Sequence, residues 1–234
     1  MGMLINKKAA VTDIVADCRS TLTAAKARGG QLETLAKQYL SGPLGIFDLV
    51  MQRLQAVDAQ LAPLQALKDA KDEASDALIG RISDEIWNDI GRPAHDPAFA
   101  LLFPDGVSFY TDSPDAEQPI RMELLAELLE AGLHPKLDSK KATDHGKQLR
   151  DSAKTLRDAV EKTLTPRAQH LMLSKAKTAL GRNLQMALVN LKRHLKATGT
   201  PDPQIHSIIP DRTRSTPRTA PSPAPLAPTA SPQP

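Results

Sequence analysis

The sequence predicts a mainly α protein: an antiparallel bundle of long, coiled-coil-like helices carrying one small inserted β-hairpin. Three observations predict it. Aromatic residues make up only 3% of the 234-residue chain, so a core must come from Leu, Ile, Val, Ala and Met, as in helical bundles. Apolar residues recur with a helical period through most of the first 197 positions. The period changes once, at FALLFPDGVSFYTD, residues 99–112, which holds Phe99, Phe103, Phe109 and Tyr110, four of the seven aromatic side chains.

Residues 4–40 repeat every seven positions at Val11, Cys18, Ala25, Leu32 and Tyr39, with Ile14, Leu22 and Leu35 near the complementary positions. Such a stripe faces a helical partner. Gly29-Gly30 interrupts it at a cost of roughly 2 kcal/mol relative to alanine, which predicts either a weak point in one helix or a short break. Ser41-Gly42-Pro43 ends the segment. A second helix over 44–90 carries a stripe from Phe47 through Leu54, Leu61 and Ile82 to Ile90, with a kink at Pro63 and a stop at Gly91-Arg92-Pro93.

Alternation over 98–111 reads as two short strands around Pro104-Asp105-Gly106, residues that suit a three-residue hairpin loop. That register puts Leu101, Phe103, Val107 and Phe109 on one face, docked on helix ends. It leaves Leu102 and Tyr110 on the other, as a candidate partner contact. A shorter helix follows over 117–132. From 139 to 197 the pattern is helical again, with Leu149, Ala153, Leu156, Val160, Leu164, Leu171, Leu184, Leu188, Leu191 and Leu195 along one stripe, as one helix or two joined at Thr165-Pro166. Residues 198–234 contain ten of the nineteen prolines and read as a disordered tail. The domain reading is therefore a helical domain over 1–197 and a Pro-rich tail over 198–234.

Charge is segregated. Residues 57–138 carry 17 acidic and 6 basic side chains, while 139–197 carry 14 basic and 4 acidic ones. The net charge of +3 hides this. The favoured reading is that the acidic helix packs beside the basic one within the bundle. The competing reading is a basic face for nucleic acid, made by Lys175, Lys177, Arg182, Lys192, Arg193 and Lys196. Against it, no aromatic side chain lies within 139–197 to stack on bases.

No motif carries recognisable chemistry. One cysteine, Cys18, excludes an intrachain disulfide and a thiolate zinc cluster. It lies on the apolar stripe, as a small buried residue rather than a nucleophile. Glu123, Glu127, Glu130 and His134 approach the carboxylate–histidine pattern of a di-iron bundle, but the i, i+3 spacing and the second pair are missing. Asp69, Asp72, Glu73 and Asp76 form an acidic cluster facing water. Phosphate-cradling glycine motifs are absent. A PxxP at Pro225 to Pro228 reads as part of a flexible spacer. No apolar run is long enough for a membrane span or signal peptide. The expectation is a cytoplasmic, non-enzymatic helical interaction or scaffold protein without a cofactor, self-associating or bound to another protein, with nucleic-acid binding through 139–197 as the alternative.

Overall fold

The computed structural model describes residues 9–210 and is mainly helical, with no strand among the described residues. The helix α1 spans Val11–Arg28 and ends at Gly29. Gly29 and Gly30 both take left-handed φ values, 70° and 62°, which a side chain would resist. The interruption is thus a break. The helix α2 then runs over Gly30–Asp89, 60 residues, continuing through Ser41-Gly42-Pro43, where a stop was expected, and through Pro63. A proline inside a helix costs about 3 kcal/mol. Around Pro43 the buried side chains of Leu40, Leu44 and Phe47 offset it, each contributing roughly 1.5–3 kcal/mol. Next come α3 (Pro97–Leu102), α4 (Ser108–Thr111), α5 (Gln118–Glu130), α6 (Ser139–Ala197) and α7 (Asp202–Ile208). The helix α6 is one 59-residue element through Pro166.

The described residues divide into two compact units, a central one over Asp48–Lys177 and a terminal one that joins 9–47 to 178–210. In the central unit α2 and α6 run antiparallel. Lys141 Nζ meets Asp89 at 2.8 Å at one end, and His170 Nε2 meets Asp58 at 3.3 Å toward the other. Ile79, Ile82 and Ile86 of α2 share a core with Leu149, Ala153 and Leu156 of α6, completed by Met122, Leu125 and Leu129 of α5.

The segment expected to be a hairpin is helical instead. Asp96 accepts hydrogen bonds from the N–H groups of Ala98 and Phe99, and Pro97 occupies the first turn. This N-cap and proline pair starts α3. On a helix, Phe99, Leu102 and Phe103 share a face. Leu102 is fully buried while Leu101 is 62% exposed, the reverse of the strand reading. Pro104–Gly106 forms a tight turn, and α4 returns Tyr110 to the core, where its hydroxyl donates to the Leu102 carbonyl at 2.5 Å. Trp87, Phe99, Phe103, Tyr110 and Phe109 form a chain of ring contacts with centroids 4.9–5.7 Å apart. The aromatic cluster therefore joins the core that α5 completes.

In the terminal unit α1 packs on the end of α6 and on α7. Cys18 Sγ lies 3.8 Å from the Leu184 carbonyl. A Cβ on Gly181 would come within 2.7 Å of Val11, so glycine permits the approach. Tyr39 Oη and His194 Nδ1 are 3.0 Å apart. The segment expected to begin the disordered tail contains α7, which buries Ile205, Ile208 and Ile209. Proline content suggested disorder, but Pro201 precedes the helix and Pro203 sits in its first turn, where proline is tolerated. The remainder of the expected tail, 211–234, lies outside the described residues.

Candidate interaction surface

The seam of α6 follows a strict seven-residue step through Leu149, Leu156, Thr163, His170 and Lys177, with Ala153, Val160, Arg167 and Ser174 at the complementary positions. Leu149, Ala153, Leu156 and Val160 are buried. Beyond Val160 the seam turns polar. On α2 the corresponding stretch is also polar, with Asp58, Gln65, Lys68, Asp72 and Ser75. Arg167 donates to Gln65, and Ser75 and Ser152 share a 2.9 Å hydrogen bond. Buried Lys68 reaches both carboxylate oxygens of Asp115 at 3.0 Å and Asp69 at 3.1 Å. Burial pulls the Lys68 pKa down, but its hydrogen bonds to Asp115 and Asp69 outweigh that and hold it above its ordinary value. Burial, with neighbouring carboxylates, raises Asp72 and Asp76. Asp76 accepts from Gln118 at 2.7 Å, so the acidic cluster is partly enclosed rather than wholly solvated.

Leu164 and Leu171 do not continue the buried stripe. Each follows a seam position by one residue, and they are 56% and 55% exposed; Met172 beside them is 71% exposed. The expected stripe used a loose helical period. The observed seam keeps the 3.5-residue period of a coiled coil, which turns both leucines outward. In this stretch α6 is polar inward and apolar outward.

Charge pairing uses half of the lysines and arginines of 139–170, together with His170. Lys141 pairs with Asp89, Arg150 with Glu130, Arg157 with Glu123 at 2.8 Å, Arg167 with Asp115 at 3.6 Å, and His170 with Asp58. In the central unit the acidic segment does lie beside the basic one. Glu123 and Glu130 turn toward arginines, while His134 Nε2 meets Asp96 at 3.1 Å. The Lys136 N–H donates to His134 Nδ1, so Nε2 carries the proton given to Asp96. The Phe99 backbone bond, aided by His134, holds Asp96 below its usual carboxylate range.

The residues selected from sequence separate. Lys175 and Lys177 belong to the central unit, while Arg182, Lys192, Arg193 and Lys196 belong to the terminal unit. Lys175, Arg182 and Arg193 are exposed and without an ion pair among the described residues. Lys177 and Lys192 are half-buried, and Lys196 pairs with Asp202 at 3.2 Å. Leu102 and Tyr110 do come together, but inside the core, so the candidate contact built on them is withdrawn. Sequence reading missed Met172 and the outward stripe. A heptad counted from Leu149 and held in strict register would have found it.

One polar groove of about 450 Å³ lies between α2 and α6, lined by Glu85, Asn88 and Asp89 on one side and Lys141, Asp144, His145 and Gln148 on the other. His145 is buried, neither ring nitrogen makes a hydrogen bond, and Glu85 stands 3.7 Å away. Burial pushes its pKa below the ordinary value. No Ser, Thr or Cys side chain lines the groove. Among the described residues no group of three His, Cys, Asp or Glu side chains is placed to hold a metal ion. Burial pushes the Cys18 thiol up to about 12, so it stays protonated at neutral pH. No helix among the described residues is long and apolar enough to cross a membrane. The chain matches no protein-family profile, and no curated protein or solved structure is significantly similar to it.

Proposed function

We propose that this protein is a non-enzymatic helical scaffold that acts by self-association. The observation that carries this reading is the inverted stretch of α6. There, polar side chains fill the seam and Leu164, Leu171 and Met172 face outward. Scattered exposed apolar residues need no explanation, but a row on one helix face marks a contact surface. Light scattering of the full chain over a wide concentration range tests it. A mass that rises above the monomer value supports the reading. A constant monomer mass contradicts it.

Nucleic-acid binding through 139–197 is the second reading. What favours it is the exposure of Lys175, Arg182 and Arg193 without ion pairs among the described residues. What weighs against it is the engagement of Lys141, Arg150, Arg157 and Arg167 with carboxylates. Lys140, Lys147, Lys154 and Lys162 of the same segment are also exposed without an ion pair among the described residues, so counterion release does not count against this reading. Titration with duplex and single-stranded DNA at two salt concentrations separates the readings. Tight binding that survives physiological salt would reverse their order.

A further inference from the structure

We infer that the outward stripe of α6 is self-complementary and pairs antiparallel with the same stripe of a second copy. This rests on the self-association reading and specifies its surface. Glu161, Leu164, Ala168, Leu171, Met172 and Lys175 are all exposed. At 3.6 residues per turn they fall within an arc of roughly 100°. Read backwards, the row has the same chemistry: an acid and a base at opposite ends, large apolar side chains within, and alanine at the centre. A two-fold axis at Ala168 therefore sets Leu164 against Leu171 and Met172 of the partner copy, and Glu161 against Lys175. The small central residue lets the backbones approach. Both end charges await partners. Lys175 makes no ion pair among the described residues. Glu161 feels the charge of Arg157, but that arginine is already bonded to Glu123. A closed two-fold contact uses the same patch on both copies, and antiparallel helices with opposite end charges choose this orientation over the parallel one.

The same row shows why a second copy fits where α5 does not reach. The seven-residue step that leads to Leu164 and Leu171 begins at Arg150 and Arg157. These two are bonded to Glu130 and Glu123 of α5. The helix α5 begins at Gln118, so the next two steps pass beyond its start and are left to another helix. The test is sedimentation velocity on the full chain with Leu171→Asp, Lys175→Glu, Glu161→Lys and the double charge exchange, each checked by thermal melting. All sites are exposed, so the fold is expected to persist. Leu171→Asp should weaken association at least tenfold because it sets a carboxylate in an apolar contact, and each single charge change should do so because like charges then face each other; the double exchange should restore most of what the single charge changes lose. Association in the wild type that Leu171→Asp leaves unchanged overturns this surface but not self-association. A wild type that stays monomeric overturns both and leaves the row to a helix of another protein. A double exchange no better than the singles overturns the antiparallel pairing.

Discussion

Tyr110 is one of the largest fully buried side chains in the central unit, and burial pushes its phenol up to about 12. Its hydroxyl holds the end of α3 through the Leu102 carbonyl. Tyr110→Ala should therefore cost about 3–5 kcal/mol in urea unfolding, the range for a buried aromatic. Leu101→Ala, on the outer face, should stay within about 0.5 kcal/mol. Equal costs would contradict the helical assignment of this segment. His145 gives a second residue-level outcome. Its folded pKa lies below the ordinary 6.5 because burial disfavours the imidazolium; Glu85 and Asp89 pull the other way, while Arg81 and Lys141 add to the lowering. The unfolded chain then binds the proton more readily. The stability from a neutral ring is complete above about pH 6.5 and declines as the pH falls through the unfolded value toward the folded one. Melting wild type and His145→Phe at about pH 7.5 and about pH 5.5 should show the variant losing less on acidification. Equal losses would remove His145 from the account. The sequence disclosed that Cys18 is buried, because its heptad position fixes its face. It did not disclose the burial of Leu102 and Tyr110. Six residues, PAFALL, are too few to separate alternation from a helical face, and only the Asp96-Pro97 start signal decides between them.

At the scale of elements, boundaries followed local chemistry where one signal stood alone. The helix α5 ends at Glu130, just before Gly132 and Pro135, and α6 spans Ser139–Ala197, the range that the helical pattern over 139–197 indicates. Where burial opposed local propensity, burial won. The helix α2 runs through Ser41-Gly42-Pro43 because Leu40, Leu44 and Phe47 gain more from the core than proline costs. The helix α7 forms in a proline-rich stretch because Ile205, Ile208 and Ile209 recur at i, i+3 and i+4, and α1 lies against them. Ile205→Ala should cost about 2–5 kcal/mol, and removing residues 201–234 should lower Tm, although composition alone suggests an inert tail. An unchanged Tm after that deletion would show that α7 adds nothing. Gly181→Leu should destabilise by about 1–3 kcal/mol or more through overpacking, because Val11 leaves no room for even a Cβ.

At the scale of the whole molecule, the sequence displayed the charge separation and the helical class directly. The inverted stretch of α6 was hidden because Leu164 and Leu171 fit a 3.6-residue stripe about as well as the true 3.5-residue seam misses them. Over 15 residues the two periods diverge by less than one position, yet that position decides between core and surface. In the proposed dimer two copies meet through this outward row with Ala168 at the axis. Oxidative cross-linking of Ala168→Cys tests it most directly. The native Cys18 is fully buried and contributes no background. At a two-fold axis the two new thiols lie close enough for a disulfide, which needs Cα atoms within about 7 Å. Mild oxidation should give a disulfide-linked dimer of Ala168→Cys with an unchanged melting curve, and little from Gln169→Cys, which is exposed on another face of α6. Equal yields from the two variants, or none from Ala168→Cys at concentrations where the wild type associates, would contradict it.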